Sequence, residues 1–123
     1  MTVIVTDSGF AADSWTEDFA PLDGESEATS LDIPSDIDVQ DLAGRLPALT
    51  MIRVAFPSFS DGRGFTIARR LRLMGYEGRL RAAGHVIADQ YAMARRAGFD
   101  EVEIGDDLAA RQPEEQWLAR ANW

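Results

Sequence analysis

Met51-Ile52-Arg53-Val54-Ala55-Phe56 is a run of apolar, β-branched and aromatic residues closed by Pro57, the composition of a buried strand. From Pro57 to residue 104 the chain alternates in kind. Residues 58–64 are rich in turn formers. Over 65–74 the spacing becomes helical, with Ile67, Leu71 and Met74 on one stripe and Arg69, Arg70 and Arg72 off it. Gly75 is a natural stop. Residues 78–83 (GRLRAA) read as a second strand. Residues 86–97 read as a second helix, with Ile87, Tyr91 and Ala94 in line and Gly98 at its end. Glu101-Val102-Glu103-Ile104 reads as a third strand. The strands are far enough apart for a helical crossover between parallel neighbours. The expected fold is therefore α/β: a small three-layer β-α-β-α-β parallel sheet over 50–104, within one domain spanning 1–123.

Outward from this core the signals weaken. Val3-Ile4-Val5 is a short strand candidate, so the first twenty residues are expected to add an antiparallel strand or hairpin. Trp15 and Phe19 are candidate anchors. Residues 21–30 (PLDGESEATS) read as a flexible connection. Residues 39–46 read as a helix capped by Asp38, with Pro47 beyond its end. Residues 1–49 form an acidic N-terminal extension. Residues 105–123 are expected to close the chain as a C-terminal helix over 113–121, with Pro113 near its first position and Glu114 and Glu115 where the helix dipole favours acids. A three-stranded sheet is small, and a second copy of the chain would help bury it.

The composition excludes several chemistries. The 123 residues, 46% hydrophobic and 27% charged, suit one globular domain. Without cysteine there is no disulfide, thiolate nucleophile, iron–sulfur cluster or cysteine zinc site. A single histidine, His85, leaves no multi-histidine metal cage, so no metal site is expected. All 12 basic residues are arginine, which removes Schiff-base lysines and the P-loop lysine. The first residues carry neither the positive charge nor the apolar run of a signal peptide, and no segment approaches a membrane span. A cytoplasmic protein with no membrane partner is expected.

Charge is unevenly distributed. Residues 1–50 hold eleven acids and one arginine. Residues 51–98 hold nine arginines and three acids. Residues 99–123 hold seven acids and two arginines. The acidic flanks argue against nucleic-acid binding, which needs exposed positive charge. The basic middle could still attract a small anion.

Two turns carry the candidate site. Ser60-Asp61-Gly62-Arg63-Gly64 lies between a strand's carboxyl end and a helix start, the crevice where parallel α/β sheets bind ligands. Glycines permit close backbone approach, a helix start carries partial positive charge, and Arg63 adds a forked donor. It is not a dinucleotide fingerprint, because Ile67 stands in place of a third glycine. The other turn is Gly84-His85, followed by Asp89-Gln90. His85, Asp89 and Arg96 fall on one helical face, and a His85–Asp89 pair could do acid–base work. Arg81 sits inside a short strand and needs a partner there. Asp61 or Asp89 could supply it. Trp15, Trp117 and Trp123 are candidates for core packing or for a contact with a partner.

The run from Phe56 to Arg72, then Gly75-Tyr76-Glu77-Gly78-Arg79-Leu80-Arg81-Ala82, then Gly84, Asp89-Gln90 and residues 95–100, resembles a bacterial family of unknown function, number 934. Members are described as probable oxidoreductases involved in sulfite reduction. The matching positions are Asp61, Gly62, Arg63, Gly64, Arg69, Arg81, Gly84, Asp89 and Gln90. His85 departs from the usual acid, and Ala97 stands near where members often carry a cysteine, so a thiol redox role is not available here. Lacking thiolates and a clear nucleotide fingerprint, the chain is expected to be an accessory protein of assimilatory sulfite reduction, and the residue reading adds that it binds a small anion or phosphate-bearing ligand at the strand ends. Asp61, Gly62, Arg63, Gly64, Arg81, Gly84, His85, Asp89 and Gln90 would be its ligand-binding residues. The alternative is a non-catalytic interaction module docking on a sulfite reductase, a sulfate-assimilation enzyme or an electron-transfer partner. Neither reading names a cofactor or a catalytic residue, and whether the chain is an enzyme stays open. An enzyme using His85 and Asp89 as acid and base is a third reading.

Overall fold

A computed structural model describes residues 2–22 and 27–123. Seven strands form one sheet: β1 (Thr2–Thr6), β2 (Gly9–Ala11), β3 (Ala20–Pro21), β4 (Ser30–Ile33), β5 (Met51–Phe56), β6 (Arg79–Gly84) and β7 (Glu101–Gly105). Their order across the sheet is β2-β1-β7-β6-β5-β4-β3. The five strands β3 to β7 run parallel, and β1 and β2 close one side as an antiparallel pair. The helices are α1 (Arg63–Leu73), α2 (Tyr91–Ala97), α3 (Asp106–Arg111) and α4 (Glu114–Leu118).

The three expected parallel strands and the N-terminal hairpin are present. The parallel set is extended by β3 and β4, whose Pro21 and Ser30 were expected to be the ends of a flexible connection. Residues 39–46 do not form the expected helix. Two 3-10 turns, Val39–Leu42 and Leu46–Ala48, take their place. Asp38 does cap the first, accepting from the Gln40 N–H at 3.0 Å. Gly44 and Pro47 stop an α-helix from propagating between them. The helix expected from residue 86 begins at Tyr91, after a 3-10 turn over Ala88–Gln90. The Ile87 and Ala88 N–H groups are taken by the Gln90 and Gln112 side chains, so that end is capped short. The C-terminal part holds two short helices, α3 and α4, where one was expected, with the break at Pro113. Residues 23–26 of that expected connection over 21–30 lie outside the described residues.

Strand alternation sorts the sheet into two unlike faces. Ile52, Val54, Phe56, Leu80, Ala82, Val102 and Ile104 point to one side and form a single buried core with Ile67, Leu71, Tyr91, Ala94 and Trp117. Both long crossovers, β5-α1-β6 and β6-α2-β7, step the same way along the sheet. Crossovers of constant hand stepping one way place their helices on one face, and α1 and α2 pack together there. The other face carries Asp32, Arg53, Arg79, Arg81, Glu101 and Glu103. The third layer over them is not helical. It is the N-terminal segment between β2 and β3, which brings Asp13, Trp15 and Phe19 onto the arginines.

Candidate functional site: a cleft over the ionic face of the sheet

Register alone aligns the charges. Asp32 pairs with Arg53 across β4 and β5, Arg53 with Arg81 across β5 and β6, and Arg81 with Glu101 across β6 and β7. The side chains complete what the register sets up. Arg53 Nε and Nη2 donate to the two Asp32 oxygens at 2.5 and 2.6 Å, and Nη1 donates to Glu103 at 3.1 Å. Arg81 is fully buried. Its Nε donates to Glu101 at 2.6 Å, its Nη1 to Glu103 at 2.7 Å, and both terminal nitrogens to Asp13 at 3.0 Å. Arg79 meets the second Glu101 oxygen at 2.6 Å. A buried cation is tolerated only when so enclosed. Burial works against the charge of Arg81, but Asp13, Glu101 and Glu103 outweigh it and hold its pKa above the usual value. In return the Arg81 guanidinium draws the Asp13 carboxyl below the ordinary carboxylate range.

Aromatic rings of the N-terminal segment lie on the guanidinium faces. Phe19 stands 3.8 Å from the Arg53 guanidinium carbon and 5.8 Å from that of Arg81, and Trp15 is 5.4 Å from Arg79. These distances are within cation–π range. Trp15 also donates its indole N–H to Ser30 Oγ at 3.1 Å. Beyond this roof the face opens into a cleft of about 790 Å³ at the C-terminal ends of β4, β5 and β6. Leu22, Ile33, Pro34, Ala55 and Ala83 wall it, and Asp32, Arg53 and Glu103 line its polar part. Its size and its apolar walls with few polar groups match small-ligand sites generally.

The residues expected to form the site are distributed differently. The two turns do share a rim. The His85 N–H donates to the Phe56 carbonyl at 2.9 Å, Gln90 Nε2 donates to the Phe59 carbonyl at 3.0 Å, and the Phe59 and His85 rings meet edge-on at 5.0 Å. Their charged side chains do not meet. Asp61 turns back on its own loop. One oxygen accepts the Arg63 N–H at 3.1 Å, both oxygens take the Arg63 guanidinium fork, and Ser35 donates a further bond. Asp61 therefore occupies the place an external anion would take, and its pKa is pulled well below the carboxylate range by Arg63. Asp89 pairs with Arg120 at 2.7 Å. His85 precedes the helix and does not share a face with Asp89. The partners of Arg81 are Asp13, Glu101 and Glu103 on the far face of the sheet, and neither Asp61 nor Asp89 reaches it.

The glycines have packing reasons. A Cβ at Gly64 would stand 2.4 Å from the Phe56 ring, so Gly64 lets α1 sit down on β5. Gly84 has φ +112° and a Cβ there would meet the Phe56 carbonyl oxygen at 2.7 Å. A side chain at Gly62 would meet only Phe65, at 3.9 Å. Of the expected residues only Gly84 lines the cleft. The strand order explains why. Ligand crevices at the carboxyl ends of open α/β sheets form where the strand order reverses and neighbouring helices diverge to opposite faces. Here β3 to β7 follow in sequence without reversal, so adjacent helix starts stay packed and the recess lies on the uncovered face. Among the described residues, no group of three or more histidine or acidic side chains is arranged to hold a metal ion, and no helix is long and apolar enough to cross a membrane.

Asp13, Asp32, Arg53, Glu101 and Glu103 were missed as site residues in the sequence, and Phe19 was singled out only as an anchor. A signal was present: in SLDI, MIRVAF, GRLRAA and EVEI the charges fall only at alternate positions, acids on the outer strands and arginines on the inner ones.

No curated protein and no solved structure matches the chain. Residues 30–121 match a family described as bacterial protein of unknown function, DUF934. That span runs from β4 through α4 and includes every strand-borne charge of the ionic ladder. The chain belongs to this bacterial family of unknown function.

Proposed function

We propose that the chain is an accessory protein of assimilatory sulfite reduction and that it works through the cleft over β4–β6. It would act by binding, without catalysing a reaction. The pathway assignment rests on how members of the family are described. The binding role rests on one observation: an apolar-walled recess at the strand ends whose lining cation, Arg53, is already clamped between two carboxylates. Asp32, Arg53 and Glu103 together leave one negative charge. A free anion such as sulfite would face both carboxylates at close range, which disfavours the small-anion ligand expected from the loop sequence. The cleft better fits an aliphatic group ending in an amine or another hydrogen-bond donor, with the donor on Asp32 and Glu103 and the stem along Ile33 and Pro34. The acid–base reading loses its pair, because Asp89 is held by Arg120 and His85 meets the Phe59 ring edge-on.

Deletion of the gene, with growth compared on sulfate, sulfite and sulfide, tests the pathway. Growth confined to sulfide is expected, and normal growth on sulfite would overturn the assignment. The same strain tests the cleft. Ala55→Trp and Pro34→Trp place an indole in the recess from exposed positions. Both should fail to restore growth while keeping the native Tm and circular dichroism, whereas Arg63→Ala should restore it. Full complementation by both tryptophan variants would remove the cleft from the proposal. In thermal shift, hexylamine should raise the Tm and sulfite should not, and the reverse order would return the anion reading.

A further inference from the structure

The opposite side of the molecule carries a second feature. Between α1 and α2 lies a small groove of about 260 Å³, lined by Phe65, Arg69, Arg70, Leu73, Met93 and their neighbours. Leu73 is 81% exposed and Met93 53%. Leu73 is the more exposed of the two, while Ile67, Ala68 and Leu71 of the same helix are buried. Arginine behaviour marks the same spot. Arg53, Arg63, Arg72, Arg79, Arg81, Arg95 and Arg120 each hold a carboxylate. Among the described residues, Arg69, Arg70, Arg96 and Arg111 hold none, and of these Arg69 and Arg70 stand side by side in the groove while Arg96 donates to the Trp123 carbonyl. This occurs in a chain with 21 acids, whose acidic N-terminal flank reaches over to pair Asp7 with Arg95. Among the described residues, no acid lines the groove. Two unpartnered cations beside two exposed apolar side chains form a complementary half of an interface.

We infer that this α1–α2 groove docks an acidic segment of another protein, through a leucine- or phenylalanine-sized anchor between Leu73 and Met93 and carboxylates on Arg69 and Arg70. The volume admits one side chain and is below that of ordinary small-ligand pockets, roughly 300 Å³ and upward. A second copy of this chain is a poor occupant. A two-fold contact across the groove would set Arg69 and Arg70 against their own copies. An amphipathic acidic helix laid along the groove satisfies both the charge and the apolar anchor.

The test uses the isotopically labelled full chain and three twelve-residue peptides: one alternating glutamate-rich turns with leucine, one with lysine replacing glutamate, and one with serine replacing leucine. The glutamate–leucine peptide should shift amide signals of α1 and α2 around Arg69, Leu73 and Met93, and the other two should not. Arg69→Glu with Arg70→Glu should weaken that binding by about tenfold or more, as should raising the ionic strength well above physiological. These positions are exposed, so the variant should keep its native Tm. Equal response to the lysine peptide, shifts elsewhere, no shift at millimolar peptide, or salt-sensitive self-association through the same residues would each overturn the inference. Ala55→Trp should bind the peptide unchanged, which separates this groove from the cleft on the other face.

Discussion

The two faces of the sheet use the same strands and the same alternation, and they are built on different physics. Toward the helices, Ile52, Val54, Leu80, Ala82, Val102 and Ile104 bury apolar surface against α1, α2 and α4. Away from them, Asp32, Arg53, Arg81, Glu101 and Glu103 form a ladder of hydrogen-bonded ions roofed by Trp15 and Phe19. Parallel sheets normally read as continuous apolar runs because both faces are covered by helices. Here only one face is. The apolar face tolerates volume-conserving exchange, since its attraction has no direction. The ionic face does not, because a buried charge that loses its partner keeps its desolvation cost. The core thus supplies stability in bulk, while the ladder fixes where the N-terminal segment lies and therefore where the cleft begins.

Breaking the ladder at its centre should have the largest effect. Arg81→Ala leaves buried Glu101 and half-buried Glu103 without their main cation and should cost about 3–5 kcal/mol, measured by urea unfolding. Leu80→Ala, the neighbouring residue on the other face, should cost about 2–5 kcal/mol through its cavity. The two faces differ more sharply under salt. One molar sodium chloride should leave the Leu80→Ala penalty unchanged, since it carries no charge difference. A salt-sensitive Leu80→Ala penalty would mean that the faces are not independent.

Acid should act on the N-terminal segment. Burial raises the Asp7 pKa, but hydrogen bonds from Tyr91, Arg95 and Trp123 outweigh it and bring the value below the ordinary 3.8. Asp13 is lowered likewise by Arg81. A depressed folded-state pKa contributes stability that is present above the unfolded value and is lost as pH falls through the folded one. Stability should therefore be level between pH 5 and 8, about the usual range of maximal stability, and decline below the ordinary carboxylate value. Asp13→Asn should make that decline shallower, because one of the carboxylates with a lowered pKa has gone. A decline unaltered by Asp13→Asn would assign it to other acids. At neutral pH the same substitution should cost only about 1 kcal/mol, since Arg81 keeps Glu101 and Glu103. Arg63→Ala should be the mildest change, with the Tm nearly unaltered, because Arg63 is exposed and Asp61 keeps its bonds from Ser35 and from the N–H of residue 63.

The strands over 51–104 were legible because each carries its own apolar run and each helix its own period, and these are local properties. Trp117 could be read only as a candidate for core or contact, and packing of its ring against Tyr91 decided for the core. The candidate site was half legible. The two turns do share one rim, since Phe56 joins the turn at His85. The chemistry was not legible, since Asp61 satisfies Arg63 within its own loop and no property of the two turns forbids that. The ladder was written at alternate positions of four segments, but its meaning depends on which strands are neighbours and in which register. Local periodicity, glycine punctuation and the lack of cysteine and lysine were thus determined by the chain alone, because they involve residues close in sequence. The pairing of Arg81 with Asp13, the covering of one face only, and the cleft that results were decided by tertiary structure, because they bring together groups as distant in sequence as Asp13 and Arg81, 68 residues apart, whose energies exist only once the sheet has formed.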